Sequence, residues 1–553
     1  MSDITQTCST SCDDSRSASR FDWKTLACTI LAISLLSPLA VVVFGQVVGG
    51  ALGWYLKRAS SGRRAHLVGL MQMDQEKQRD ERLWVGKPRD DDGKKDKSRA
   101  AESGAEKPGA EWTGVVGFFH PFCNAGGGGE RVLWAAVRAT QLRYPNALCA
   151  VYTGDHDMSK EAMLSRVKNR FNIHLNEATV TFVYLSTRHL VLSSTWPRFT
   201  LLGQSLGSVI MAWNAFHLLV PDIFVDTMGY AFALGFSRFL FRRVPTCAYV
   251  HYPTISTDML ESLDPSSPLG TKGVNAGQGT GLRGFVKRWY WRLFAALYSL
   301  AGSTVDSVMT NSSWTQAHVQ KIWGPRRKHK ALPITVNYPP VAVTELETKI
   351  ELSPASEAKR EKILLLIAQF RPEKDHQHII QSFARFIKSG TEASRGARLV
   401  LVGSVRDDGD SKRIYQLRLL ANELGIKDRV EFHLDASWPE VLEWLRRASV
   451  GVNGMWNEHF GIGVVEYQAA GLISVVHASG GPKMDIVVDI DGGPTGFHAD
   501  TADEFVAAFE RALSLPDPLA VRRRARLSAR RFTEEEFMRK WTEQMEALVG
   551  MLR

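Results

Sequence analysis

The chain has 553 residues, 44% hydrophobic and 23% charged, values of a folded globular protein that exclude a wholly disordered or fibrous chain. Its net charge of +10 suits a polyanionic ligand or an anionic surface. The six cysteines lie at or before Cys247, with no CxxC pair and no Cys/His cluster. That argues against a disulfide scaffold or a structural zinc and favours a reducing compartment.

In chain order, residues 1–25 read as a short polar tail. From Leu26 to Leu56 there is no charged residue, and about 20 apolar residues suffice to cross a bilayer. Pro38 and the Gly49–Gly50 pair are tolerated in a spanning helix, and Trp54 and Tyr55 sit where interfacial aromatics belong. The stretch is too long for the apolar part of a cleavable signal peptide, so a retained single-pass anchor is expected. Before it, Arg16, Arg20 and Lys24 stand among Asp13, Asp14 and Asp22. After it come Lys57, Arg58, Arg63 and Arg64, with no acid until Asp74. This bias places the short tail in the lumen and the bulk of the chain in the cytosol. On that topology the Asn311-Ser312-Ser313 triplet, which has the form of a glycosylation acceptor, is never glycosylated. Residues 57–112, rich in Lys, Arg, Asp and Glu, read as a charged flexible linker.

From Thr113 onwards apolar runs alternate with amphipathic segments. Strands are expected at Val115–Phe122, Ala147–Thr153, Val180–Leu185, Asp222–Thr227, Thr246–His251 and Ser307–Asn311. A second set is expected at Ile363–Phe370, Arg398–Gly403, Val430–Leu434, Val450–Asn453 and Ile473–His477. Helical patterns lie between them, among them Arg131–Arg143, Phe285–Leu300, Gln377–Lys388, Trp438–Arg447, Gly463–Ala470 and Ala502–Leu513. Near-continuous Val/Ile/Leu strands separated by helices predict parallel sheets covered on both faces. The expected class is therefore α/β. Two doubly wound, Rossmann-like domains, 113–340 and 361–553, would be joined by a connector at 341–360 and face each other across a cleft. Such sheets bind ligands at the carboxyl ends of their strands.

The unusual residues fall in those turns. After the first strand comes His120-Pro121-Phe122-Cys123-Asn124-Ala125-Gly126-Gly127-Gly128-Gly129-Glu130-Arg131. Four glycines at a helix start let a phosphate approach the backbone, and the helix N-terminus adds partial positive charge. No Lys-Ser/Thr follows, and the pattern is not GxGxxG, so NTP hydrolysis and dinucleotide oxidoreduction lose weight. The second half opens with Phe370-Arg371-Pro372-Glu373-Lys374, whose two cations can meet one diphosphate. Asn457-Glu458-His459-Phe460-Gly461-Ile462-Gly463-Val464-Val465-Glu466 places two glutamates eight apart around a helix-opening turn. The first lies beside the amides of Phe460, Gly461 and Ile462, and the second is positioned to accept hydrogen bonds from a vicinal diol such as a ribose. Asp155-His156-Asp157 has a metal-binding form but is expected to be a polar surface turn.

The stretch EHFGIGVVEYQAAG (458–471) resembles the signature of retaining glycosyltransferases of family 4, which have the GT-B fold. With GFFHPFCNAGGGGERVLW, YVHYPTIS, TNSSWT and FRPEKDH, the chain is similar to the α-1,2-mannosyltransferases of the asparagine-linked glycosylation pathway. The resemblance implies transfer of the fourth and fifth mannoses from GDP-mannose to a dolichol-diphosphate oligosaccharide. It places that reaction on the cytosolic face of the endoplasmic reticulum membrane, without a metal or other cofactor. Other mannosyltransferases of the pathway are implied partners, and nucleic acid is not. By the same resemblance Glu466 holds the guanosine ribose, while Glu458 and the 460–462 amides hold the mannose and its phosphate. Arg371 and Lys374 neutralise the leaving diphosphate, Gly126–Gly129 approach it from the other domain, and His251 lies near the transferred sugar. Retention is attributed to front-face attack, so no enzymic nucleophile is assigned. Many family members carry Arg where Gln369 stands here.

Ser208–Val220, Met228–Phe241 and Phe285–Leu300 are apolar or mix bases with Trp and Tyr; each is a candidate for membrane contact as well as for core burial. Another lipid acceptor such as phosphatidylinositol, and a catalytically idle scaffold, remain as alternatives.

Overall fold

The computed structural model describes residues 23–85, 112–264, 266–267 and 280–552. The polar tail up to residue 22, its basic residues Arg16 and Arg20, and the linker from 86 to 111 lie outside the described residues.

Among the described residues thirteen strands form two sheets, all parallel. The first holds β1 (Val115–Phe119), β2 (Leu148–Thr153), β3 (Val180–Tyr184), β4 (Ile223–Asp226), β5 (Thr246–Val250), β6 (Ser307–Thr310) and β7 (Ile334–Val336), in the order 3-2-1-4-5-6-7. The second holds β8 (Glu361–Ile367), β9 (Arg398–Gly403), β10 (Val430–Leu434), β11 (Ala448–Asn453), β12 (Ile473–His477) and β13 (Gly496–Ala499), in the order 10-9-8-11-12-13. Each order reverses once, between β1 and β4 and between β8 and β11. Those are the switch points where doubly wound sheets open a crevice. The predicted α/β class and the two Rossmann-like lobes are what the chain adopts. Neither β7 nor β13 is among the expected strands: the first has only three residues and the second contains Gly496 and His498.

The first lobe carries α1 (Trp23–Val85), α2 (Gly128–Arg143), α3 (Lys160–Phe171), α4 (Thr200–Leu218), α5 (Ala231–Leu240), α6 (Thr257–Glu261), α7 (Gly281–Ser303) and α8 (Ser313–Trp323). The connector folds as α9 (Val343–Lys349) and α10 (Pro354–Glu357), with Leu346 and Ile350 buried in the second lobe. The second lobe carries α11 (His376–Lys388), α12 (Asp408–Glu423), α13 (Trp438–Arg447), α14 (Ile462–Ala470), α15 (Ala502–Leu513) and α16 (Pro518–Ala529). The last helix, α17 (Glu534–Gly550), leaves that lobe and covers the first sheet. Phe537, Trp541, Met545 and Leu548 pack with Phe118, Val132 and Val151, and Trp541 donates to Thr140 at 3.0 Å. The boundary at 361–553 is thus corrected. Helical periodicity marks a buried face without naming the sheet that buries it.

The 57–112 linker is corrected at its start. α1 runs unbroken past Leu56 to Val85, because positions 56, 60, 64, 67, 68 and 71 form one helical stripe. Leu56, Ser60 and Met71 are buried, Arg64 pairs with Asp222 at 2.6 Å, and Gln75 donates to Pro145 O at 2.9 Å. Charged composition hides that stripe. α1 is long and apolar enough to cross a membrane, and only 17% of its apolar window is buried. It crosses the end of α5 at glycines: a Cβ on Gly49 would lie 2.5 Å from Phe239 O, and one on Gly53 would strike Leu240 O. Met211, Ala212, Ala215, Phe216 and Leu219 of the 208–220 segment, and Leu234, Leu240 and Phe241 of 228–241, go to the core beside α1.

Candidate functional site

β1 ends at Phe119 because His120 and Pro121 follow, and proline has no N–H to extend the ladder. The turn that replaces it is held from three sides. His120 Nδ1 lies 2.7 Å from Thr227 Oγ1, the Asn124 amide donates to Asp155 Oδ2 at 3.0 Å, and Arg170 Nε donates to Gly126 O at 2.7 Å. Gly126 has φ +78°, a conformation suited to glycine. The Gly127 amide is already taken, donating to Glu130 Oε2 at 2.6 Å. Of the four glycines, therefore, Gly128 and Gly129 open α2 with the unsatisfied amides of a first helical turn. The expected surface turn is corrected at Asp155, which is buried: it holds Asn124, accepts from Thr153 at 3.1 Å and pairs with Arg188. Among the described residues no group of three or more His, Cys, Asp or Glu is placed to hold a metal.

Facing this turn is the one after β11. Asn457 (φ +52°) and Gly461 (φ +104°) bend it, and it rests on Gly480 and Gly481. The Gly481 amide donates to Glu458 O at 2.8 Å, and a Cβ on Gly481 would lie 2.6 Å from Phe460 Cα. The Phe460 ring is core, against Tyr338 and Phe532, so only its backbone faces the cleft. Gly461 caps α14 and accepts from the Val464 amide at 3.0 Å, which leaves the Ile462 and Gly463 amides of the first turn open. Lys374, on the turn after β8, forms an ion pair with Glu458 and lies 3.2 Å from Met455 Sδ.

The two turns meet. A Cβ on Gly128 would come 2.7 Å from Ile462 Cδ1, and one on Gly129 would lie 3.7 Å from His251 Nε2. His251 Nε2 is buried with no hydrogen-bond partner. Burial, then the neighbouring His120, hold its imidazole neutral, with the pKa pushed down to about 4. Glu466, half-buried on α14, has its carboxyl pushed up to about 7 by burial, with Arg131 of the opposite lobe opposing that shift. Burial alone would raise Glu130 as well, but His120 and the Gly127 amide hold it below the usual carboxylate range. Thus His251, Lys374, Glu458, Gly461, Ile462, Gly128 and Gly129 converge on one crevice, while Gly126 and Gly127 are turned to Arg170 and Glu130. Arg371 does not join Lys374: it lines a separate cavity with His376, Arg413 and Gln416.

Residues without an expected role complete the crevice. The His459 ring stacks on Tyr252 at 4.0 Å, with Trp314 at 5.4 Å, and Asn457 Nδ2 donates to Asp258 Oδ2 at 2.8 Å. These contacts tie the second-lobe turn to the first lobe. Tyr252 and Trp314 lie within YVHYPTIS and TNSSWT, so the motifs held the signal. Beside them is an inter-lobe cavity of about 660 Å³ that also exposes Glu373, Asp375 and Trp456.

Two facing Rossmann-like lobes with amide-rich turns and a Lys–Glu pair in the cleft define a GT-B glycosyltransferase. Solved structures share the fold. A complex of Anabaena Alr3699/HepE with UDP and glucose matches at TM-score 0.52 and 13% identity, over 78% of this chain and all of that one. A Burkholderia multivorans trehalose 6-phosphate synthase matches at TM-score 0.56 and 12% identity, over 80% and 100%. Residues 113–323 match the family described as ALG11 mannosyltransferase N-terminus, and 349–531 match glycosyl transferases group 1. A Neurospora crassa protein named GDP-Man:Man(3)GlcNAc(2)-PP-Dol alpha-1,2-mannosyltransferase is 66% identical over 95% of this chain and 97% of its own length. The Homo sapiens protein of that name is 43% identical over 76% and 85%. The chain belongs to this α-1,2-mannosyltransferase family.

Proposed function

We propose that the chain transfers mannose from GDP-mannose, with retention and in α-1,2 linkage, onto a dolichol-diphosphate-linked oligosaccharide. The relatives' names supply the donor and acceptor. The observation that carries the chemistry is the Lys374–Glu458 pair beneath the α14 N-terminus, opposite Gly128, Gly129 and His251.

As the bond from mannose C1 to phosphate oxygen breaks, the diphosphate gains negative charge. Lys374 and the amides opening α14 and α2 supply fixed positive charge there. Glu458 orients Lys374 and accepts from mannose hydroxyls. The acceptor hydroxyl oxygen forms the new bond to C1, and its proton passes to the departing phosphate oxygen. Neutral His251 presents Nε2 to the sugar as a hydrogen-bonding group. Glu466 holds the ribose. The cavity of Tyr252, Asp258, Glu373 and Trp456, aromatic faces beside carboxylates, suits the acceptor's sugars. The reaction needs no metal and should be insensitive to EDTA.

The apolar α1 supports membrane association. We place the protein in the endoplasmic reticulum membrane with both lobes cytosolic, from Lys57, Arg58, Arg63 and Arg64 on the domain side of the span. Incubating the purified protein with GDP-mannose and a polyprenyl-diphosphate trimannosyl-chitobiose tests the reading. Two added hexoses, both removed by an α-1,2-mannosidase, are expected; no added hexose, or transfer to phosphatidylinositol instead, contradicts it.

A further inference from the structure

Below the cleft the first lobe carries an apolar surface that the transfer chemistry does not use. On α7, Leu282, Phe285, Val286, Trp289, Leu293, Leu297 and Leu300 form one exposed stripe at helical spacing, while Phe294 and Tyr298 on the other side are buried. Phe199, which caps α4, and Leu202, Leu206 and Ile210 on that helix form a second exposed stripe. The stripes meet at a cavity of about 590 Å³ lined by Phe199, Leu201, Leu282, Val286, Tyr290 and Trp291, with Arg283 and Lys287 also on its wall.

Its position is set by topology. α4 leads into β4 and α7 leads into β6, so both helices begin on the carboxyl side of the first sheet, where the cleft lies. The other end of α7 lies beside the anchor: Thr304 shares a surface recess with Gln46 of α1. With 23 residues, α7 spans about 34 Å at the usual rise. The stripe is therefore an apolar track from beside the apolar segment of α1 towards the carboxyl side of the first sheet, where the cleft lies. Bases flanking such a stripe fit a helix lying in the membrane interface.

We propose that the cavity between the N-terminal ends of α4 and α7 binds the first isoprene units of the acceptor's polyprenyl chain, with Arg283 and Lys287 facing its diphosphate. This deepens the proposed function and rests on it. A lipid that stays in the bilayer while its sugar reaches the crevice must cross this edge of the lobe, and the cavity pairs an apolar wall with cations at that place. Burial lowers the Lys287 pKa, as expected for an ammonium set against apolar walls.

The test uses the full-length protein in nanodiscs and two acceptors with the same sugar diphosphate, one on a dolichyl chain and one on a short water-soluble alkyl chain. Phe199→Glu and Val286→Glu change exposed residues on the cavity wall; Leu297→Glu changes the stripe far from it. For the wall variants the dolichyl acceptor KM should rise about tenfold or more, equivalent to ~1.4 kcal/mol. The KM for GDP-mannose and turnover of the short acceptor should hold. A polyprenyl diphosphate carrying a diazirine on its first isoprene unit should label peptides containing residues 199–201 or 282–291. Equal behaviour of Leu297→Glu and the wall variants, with no labelling there, would reduce the surface to a general bilayer contact and overturn the proposal. Wild-type protein that transfers to neither acceptor would overturn the proposed function itself.

Discussion

The two strand-to-helix turns that face each other across the cleft look alike in sequence, glycine-rich and helix-opening, but they are built for different tasks. The first-lobe turn spends its Gly127 amide on Glu130 and is braced by Asp155 and Arg170. What it offers is closeness, since Gly128 has no side chain to push Ile462 away. The second-lobe turn joins a Lys–Glu pair to a helix N-terminus. What it offers is charge. In the proposed reaction the glycine run sets how near the lobes come and adds the α2 amides, while the charged side chain that meets the leaving group comes from the second lobe.

The comparison breaks first at Glu458. Glu458→Gln keeps the shape, removes the charge that orients Lys374, and should lower kcat by about 10²–10³-fold, ~2.7–4 kcal/mol of barrier. Transfer measured at saturating donor checks this. On the other side the effect should be steric. Gly128→Ala asks only the tip of Ile462 to move and should be mild, whereas Gly128→Leu should cost about tenfold or more in kcat/KM, ~1.4 kcal/mol. Adding Ile462→Ala should restore part of that loss. If it restores none, closeness of the lobes is not what Gly128 provides.

Smaller effects come from titration. If Glu466 holds the ribose as proposed, its ionised form is the better acceptor, so the GDP-mannose KM should fall as pH rises through about 7, and Glu466→Gln should flatten that dependence. Its effect on folding has the opposite sign. The folded state holds this proton more tightly than the unfolded chain, so the contribution is complete below 4.5 and lost as pH rises through about 7. Desolvation keeps buried His376 and half-buried His251 and His459 neutral, each pushed down to about 4. Their contribution is present above 6.5 and lost as pH falls through about 4, readable as a drop in thermal midpoint over that range.

Much of this arrangement was legible in the residues. Val/Ile/Leu runs gave away eleven strands, because a strand buried on both faces needs apolar side chains throughout. Glu458, Lys374 and Gly128 stood out because their types are unusual at the ends of such strands, whereas His251 was picked out by the family resemblance alone. Other features were hidden for physical reasons. The helix through 57–85 buries a narrow stripe beneath many charges, so its composition reads as solvated. The α17 helix returns to the first lobe, a destination its periodicity does not encode. Arg371 and Lys374 are three apart, yet spacing alone does not say that one faces Glu458 and the other the α12 side of the turn. The stacking of His459 on Tyr252 joins residues more than 200 positions apart, a pairing that only the closed fold reveals.

The claim that the second lobe carries the leaving-group charge is tested most directly by Lys374→Ala, with kcat and the KM for GDP-mannose measured separately. A cation that acts on charge formed during bond breaking should appear in kcat, with a loss of about 10²-fold or more and a KM within a few-fold of wild type. An unchanged kcat with the whole loss in KM would show that Lys374 only binds the donor, and would contradict the division of labour between the two turns.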